Sequence, residues 1–511
     1  MTGSAKRAIV NTLAQHIRAI VNICLSLYST RLVLEALGQS DYGIYSLVAG
    51  VVAMLGFITN ALVVTTQRYL SFYHGRNDAN YLKKIFTNSL FLHILFATLI
   101  CGVLLSITTP MMHSWLLIEP DRQSAATIVY FLTIIMLFFT IMAAPFKSLF
   151  IARENIVYIS IIEVCDGILK LVLAIYLLYA NHDKLILYAM IMTFIQCFTF
   201  VAFVIYGKLK YQECRLAIHI RDIEKQCMKS LLSFAGWTIY STGCIVGRTQ
   251  GFAIVLNRFF GIIYNASYGI AQQVSGAIFF LSQAVINAMS PQVVKAEGSN
   301  DRETMILRSE NLCKYSFLIL SMVGIPLMFE MNEILSIWLG TIPDAAISFC
   351  RFILLAAILD QTTVGLGTAI QATGRIKWYS LIISTLKLVT IPAMCLALYL
   401  GTDVHTTLWL YVIFEVICGI GKIPFAVHIT GLKVSHFLKN VIYPIILPTL
   451  TVSLLSWGIK TAFSFDFRFL LSLSVAVVAD CLVIWYFILS SQERSLIAGY
   501  VRQKFPRFHQ S

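Results

Sequence analysis

The chain has 511 residues, 58% of them hydrophobic and only 12% charged, with a formal net charge of +13 and a mean hydropathy of +0.79. Water-soluble domains carry about 25% charged and about 45–50% apolar residues, so this balance excludes a string of soluble domains. The basic residues lie between apolar runs rather than on one polar surface, which also excludes nucleic acid as a partner.

Apolar segments of spanning length follow one another along the whole sequence. They predict an all-α integral membrane protein of about 14 transmembrane helices, near 9–33, 43–66, 85–108, 125–148, 157–179, 185–206, 231–255, 265–288, 312–330, 348–371, 378–400, 407–428, 441–462 and 469–490. Stretches such as FLHILFATLICGVLLSI (91–107) contain no Lys, Arg, Asp or Glu. The basic start followed by apolar residues has the outline of a signal peptide. Asn11, Gln15, His16 and Arg18 interrupt it, so it reads as a retained first helix. The 12 cysteines, Cys24, Cys101, Cys165 and Cys197 among them, are scattered through apolar segments without a C-x-x-C pair. They read as small apolar fillers, with no disulfide and no metal site.

The connections alternate in charge. One side collects Lys6, Arg7, Arg68, Arg76, Lys83, Lys84, Lys147, Arg153, Lys208, Lys210, Arg215, Arg221, Lys422, Arg502, Lys504, Arg507 and others. The opposite side has only Arg31, Arg122, Lys184, Arg258, Lys460 and Arg468. The positive-inside rule makes the first side cytoplasmic, with both termini inside and an even helix count.

The sequence also repeats itself. YGIYSLVAG at 42–50 returns as YGIAQQVSG at 268–276, and LKLV at 169–172 returns at 386–389. VLEALG (33–38) precedes the first phrase and VLNRFFG (255–261) the second. Echoes in the same order at similar offsets predict two pseudo-symmetric six-helix lobes related as a parallel repeat, a transporter plan. The expected division is a lobe at 1–208, a cytoplasmic linker at 209–230, a second lobe at 231–430, and an extra helix pair with a cytoplasmic tail at 431–511.

Polar groups at bilayer depth are costly and point to function. Asn11, Gln15, Arg18 and Asn22 recur at helical spacing on one face. Ser233, Trp237, Ser241, Cys244 and Arg248 form a matching stripe, and the two stripes are expected to line a central cavity. Glu163, Asp166 and Lys170 share a face, and an internal Asp166–Lys170 ion pair is an equally good reading of the last two. Lys387 has no acid on its own helix, nor has Asp360 a local cation. Asn60, Gln272, Gln283 and Asn287 add amides, while Arg351, Glu415 and Asp480 complete the intramembrane polar set. Arg18 and Arg248 are also placed to snorkel toward headgroups. No zinc-protease, nucleophile-elbow or Walker A motif occurs, and no long loop offers a catalytic domain, so no catalytic residue and no cofactor is expected.

Leu37-Gly38, Tyr42-Gly43, Gln67-Arg68-Tyr69 and Gly75-Arg76-Asn77-Asp78, together with FIARENIVYISIIE (150–163), carry a resemblance. The sequence resembles the polysaccharide-unit flippase branch of the multidrug/oligosaccharidyl-lipid/polysaccharide exporter superfamily, over most of residues 5–430. The resemblance implies a bacterial inner-membrane protein that moves a polyprenyl-diphosphate-linked oligosaccharide from the inner to the outer leaflet by alternating access. An O-antigen, capsule, exopolysaccharide or cell-wall unit would fit. On that reading Arg18, Arg248, Arg351 and Lys387 meet the diphosphate, because cations and guanidinium forks suit phosphate oxygens. The amide, hydroxyl and indole groups line the sugar path. Asp360, Glu163 and Asp166 couple transport to protons or sodium. Membrane lipids and a polysaccharide polymerase complex are the implied partners. A cation-coupled drug or metabolite exporter of the same fold is the alternative reading, and an integral-membrane polymerase or ligase the second.

Overall fold

The computed structural model of the protein describes residues 2–53, 55–112, 119–214, 223–339, 342–343, 345–465, 467–489, 491 and 494–495. Arg215, Arg221 and the tail cations Arg502, Lys504 and Arg507 lie outside the described residues, as do the side chains of Lys6 and Arg7. Helix is the regular structure throughout the described residues. The first elements are α1 (Thr2–Ala53), α2 (Gly56–Gly75), α3 (Ala79–Ser106), the short α4 (Thr108–Pro110), α5 (Gln123–Ala152), α6 (Ile156–Tyr179) and α7 (Lys184–Lys210). Then come α8 (Lys225–Phe260), α9 (Ile262–Gly298), α10 (Arg302–Phe329), α11 (Met331–Leu339), α12 (Ala346–Gln361), α13 (Val364–Thr373), α14 (Lys377–Tyr399) and α15 (Val404–Thr430). The last are α16 (Val434–Phe437), α17 (Tyr443–Ala462) and α18 (Arg468–Val483), with π-helical turns at Leu438–Ile442 and Ile484–Ile488.

Among the described residues, ten helices are long and apolar enough to cross a membrane, or 11 when the bent pair α12–α13 counts as one span. The protein is a multi-pass membrane protein. The remaining three of the 14 expected segments are helical but differ in character. The segment near 43–66 is divided, with one helix ending at Ala53 and the next starting at Gly56. The segment at 157–179 carries Glu163, Asp166 and Lys170 inside α6. The segment at 231–255 lies in α8, whose polar stripe dilutes its hydropathy.

Residues 10–242 form one compact unit, and residues 1–9 with 243–511 form the other. The core of the first holds Tyr130, Phe86, Phe146 and Phe150, all fully buried. Phe150 meets Tyr158, Phe203 and Tyr206 edge-on at 5.5–5.6 Å, while Tyr158 and Tyr206 stack at 3.6 Å. Arg68, of the Gln67-Arg68-Tyr69 signature, is buried among the rings of Tyr69, Phe72 and Phe234 at 4.6–5.5 Å. Cys227, Leu231 and Ala235 belong to the same core, so the start of α8 folds with the residues before it.

The core of the second unit gathers Phe252, Tyr268, Phe349, Leu354 and Leu408. Here α17 and α18 pack on each other and on α10. The bend between α12 and α13, 46°, falls at Thr362–Thr363. It brings Gly365 against α10, where a Cβ would stand 1.9 Å from the Ser309 carbonyl oxygen. Only glycine fits that approach.

The repeat is written in the backbone as well as in the letters. Gly38 (φ 74°, ψ 173°) and Gly261 (φ 82°, ψ −170°) share one left-handed conformation, each at a break ahead of a repeated phrase. Asn77 (φ 56°) and Asn300 (φ 58°) repeat at the same offset of 223, from Gly to Gly and from Asn to Asn. The residues after them, Asp78 and Asp301, cap the next helices by accepting from the Tyr81 and Thr304 amides at 2.9 and 3.0 Å. Asp183 and Asp403, 220 apart, cap α7 and α15. The YGI phrase, offset 226, is therefore three residues out of structural register. At the structural offset Tyr45 corresponds to Tyr268, and both rings pack edge-on, against Tyr188 at 4.6 Å and Phe252 at 4.9 Å.

Candidate functional site: two ionic clusters within the helices

In residues 10–242 the cluster forms on α1, α5, α6 and α7. Arg18 donates to Glu163 Oε2, and Lys147 Nζ lies 2.7 Å from Glu163 Oε1. One α-helical turn further along α6, Asp166 Oδ2 holds Lys170 at 2.6 Å and Oδ1 accepts from Thr199 at 3.5 Å. The spacing of the two acids, three residues, puts both on one face of α6. Of the α1 stripe, Asn11 donates to the Glu154 carbonyl at 2.8 Å and Gln15 is buried. Asn22 Oδ1 is buried without a hydrogen-bond partner, close to where Gly167 lets α1 approach α6.

In residues 243–511 a denser cluster joins α8, α12, α14 and α15. Arg248 Nη1 donates to Glu415 Oε2 at 2.6 Å, and its guanidinium lies 4.5 Å from the Tyr411 ring centroid. Lys387 Nζ bridges Glu415 Oε1 at 2.5 Å and Asp360 Oδ1 at 3.3 Å, and Lys422 Nζ reaches Asp360 Oδ1 at 2.8 Å. Asp360 occupies the last turn of α12, just before the bend. The negative end of the helix dipole there adds to the hold on both lysines. Arg248, Lys387, Lys422 and Glu415 are all buried, whereas the Asp360 side chain keeps 27% of its surface exposed. Arg248 Nε has no hydrogen-bond partner.

The structure thus brings Arg248, Lys387 and Asp360 together in one cluster, and Arg18, Glu163 and Asp166 in the other. Two participants stand outside the intramembrane polar set read from the sequence. Lys147 and Lys422, grouped there with the cytoplasmic connections, lie inside α5 and α15. Lys422 follows Glu415 by seven residues, two turns on the same face, a signal that helical spacing does contain. Asp360, without a local cation in the sequence, takes its partners from α14 and α15. Arg351 stands apart. It donates to the Met328 carbonyl at 2.8 Å, nine residues and about 14 Å of helix rise before Asp360.

The expected sugar-lining groups are dispersed. Gln272 donates to the Tyr268 hydroxyl at 2.6 Å, and Gln283 to Asn287 at 2.9 Å. Asn60 and Ser233 are exposed, Ser241 is half-buried, and Trp237 meets Tyr240 edge-on at 6.1 Å. Among the described residues no group of three or more metal-ligating side chains occurs.

No family model and no curated protein matches the sequence. Solved structures do match. A crystal structure of MATE in complex with MaD3S aligns with a TM-score of 0.72 at 16% identity, over 85% of this chain and 97% of that one. An outward-facing multidrug resistance MATE family transporter of the MOP superfamily gives 0.73 at 16% identity, over 84% and 97%. The chain has the fold of these transporters. A MOP superfamily transporter from Pyrococcus furiosus, described by the reverse polarity of its binding pocket, gives 0.69 at 14% identity, over 84% and 96%.

Proposed function

We propose that this protein is a transporter of the bacterial inner membrane that moves a polyprenyl-diphosphate-linked oligosaccharide from the inner to the outer leaflet by alternating access. The observation that carries the reading is a surplus of positive charge in both clusters. Arg248, Lys387 and Lys422 face two carboxylates, Asp360 and Glu415. Arg18, Lys147 and Lys170 likewise face two, Glu163 and Asp166. Each cluster carries +1 (three cations less two acids) at a depth where charge is costly. An anionic headgroup would neutralise that surplus. A cationic drug would add to it.

The arrangement of Asp360 suggests the coupling. This carboxylate is the open member of its cluster, and it occupies the two lysines that a diphosphate would want. A proton on Asp360 frees Lys422 and removes one of the two carboxylates that hold Lys387, Glu415 keeping the other, so proton uptake and anion binding favour each other, by reciprocity of linkage. The membrane plan that goes with the proposal has fourteen spans with both termini cytoplasmic. In it, lobes at 1–208 and 231–430 are joined by the 209–230 linker and followed by the 431–511 helix pair. The alternating charge and the repeated caps support this plan.

The second reading is a cation-coupled drug or metabolite exporter. It is favoured by the fold match to a multidrug resistance transporter. A leaflet-translocation assay in proteoliposomes separates the two. The flippase reading expects wild type to translocate a short lipid-diphosphate saccharide and Arg248→Ala to lose most of that activity. Wild type that moves small cationic drugs and no lipid-linked sugar would decide for the exporter.

A further inference from the structure

Among the described residues, all but one of the buried and half-buried acids inside the helices are held by cations or donors. Glu163 has Arg18 and Lys147, Asp166 has Lys170, Asp360 has Lys387 and Lys422, and Glu415 has Arg248 and Lys387. Fully buried Glu310 accepts from Asn440 at 2.8 Å and pairs with His436 at 3.1 Å. Asp480 is the exception. It lies well inside the Arg468–Ile488 span, on the buried face that α18 forms with Ser472 and Ala476. It has 0% exposure, and neither carboxylate oxygen has a hydrogen-bond partner.

The elements packed on α18 bring it no counter-charge. On α10, Arg308 donates to the Gln292 carbonyl, Glu310 is engaged by His436 and Asn440, and Lys314 lies 4.8 Å from the Tyr315 ring. Arg302 is paired with Glu297, Glu303 is exposed, and the Cys313 sulfur accepts from the Gly365 amide. On α17, Lys460 and Tyr443 are exposed. On α18 itself Arg468 is bound to Glu330, and Cys481 contacts the Met322 sulfur at 3.9 Å. Tyr486, in the turn that follows, is exposed.

An ionised carboxylate in such a place would bear its whole desolvation cost without an attractive partner. Binding a proton removes the charge and with it most of that cost. The hydroxyls of Ser456 and Ser472, on the same two helices, are also buried without partners. Ser472 lies two turns before Asp480 on the buried face of α18.

We propose that Asp480 is a proton-binding site inside the C-terminal helix pair, separate from the two ionic clusters. This site does not depend on the flippase reading, since burial and the lack of a partner are properties of the fold alone.

The test uses the purified full-length protein in lipid nanodiscs and a hydrophobic carbodiimide, which modifies protonated carboxyls in apolar surroundings. Adducts are mapped by mass spectrometry across a pH series. The expected result is modification at Asp480 that falls about tenfold per pH unit above its own midpoint, with Asp360, Glu415 and Glu163 modified far less. Asp480→Asn should remove that adduct and leave the others unchanged. Should the variant fail to fold, the wild-type pH series still decides. An Asp480 adduct that is absent at every pH, or no stronger than those of the paired acids, overturns the proposal. Protection by sodium at constant pH also overturns it and makes the site a sodium site.

Discussion

Glu415 and Lys387 stand on adjacent helices with Oε1 and Nζ 2.5 Å apart, and the other oxygen of Glu415 holds Arg248. One buried acid thus anchors two buried cations. Removing one partner of a buried ion pair costs about 3–5 kcal/mol, because the remaining charge stays desolvated and alone. Glu415→Ala should lower the melting temperature in detergent by an amount matching that range. Glu415→Leu combined with Lys387→Met and Arg248→Met, which leaves Asp360 paired with Lys422, should recover much of it. A triple variant as unstable as the sum of its singles would show that the three groups are not coupled.

Asp360 and an anionic headgroup compete for Lys387 and Lys422. Asp360→Asn should therefore bind pyrophosphate more tightly than wild type. The gap between the variant and wild type should narrow as pH falls, the protonation of pyrophosphate itself being common to both. The sign follows from linkage: the proton and the anion are bound together, so lowering pH favours the anion. Titration calorimetry at a series of pH values checks it. A gap between variant and wild type that does not change with pH counts against the competition.

Gly365 allows α13 to touch the backbone of α10. Gly365→Ala places a methyl 1.9 Å from the Ser309 oxygen. Overpacking of this kind costs about 1–3 kcal/mol or more, since backbone has to move. Gly236→Ala, where nothing lies within 4 Å of the new atom, is the control. It should be neutral or slightly stabilising, because alanine is the better helix former. Thermal unfolding of the two variants side by side is the measurement.

Cys214 follows α7 outside the spanning segments. Burial, helped by the neighbouring Glu213 carboxylate, pushes its thiol up to about 12. The thiolate is the reactive form, so Cys214 should resist a water-soluble maleimide at neutral pH and react once the unit of residues 10–242 unfolds. Peptide mapping across a denaturant series reads this directly. Rapid labelling of the folded protein would contradict the buried environment.

The sequence by itself determined a great deal here. Runs such as 91–107 have no charge to solvate and can only be helices in lipid, because backbone groups there must be satisfied within the segment. The (i, i+4) pair Asp166–Lys170 was legible for the same local reason, and it is formed at 2.6 Å. So was the doubling of the chain, although the YGI letters sit three residues off the register that Gly38 and Gly261 keep. Backbone conformation constrains a glycine at a break more tightly than lipid packing constrains a tyrosine on a helix face. Only the tertiary structure decided which charges meet. Asp360, Lys387, Glu415 and Arg248 stand on four separate helices, and their pairing depends on helix packing that no local spacing encodes. It also drew Lys147 and Lys422 into the clusters and left Asp480 alone, because a charge within a bundle is defined by its neighbours across space rather than along the chain.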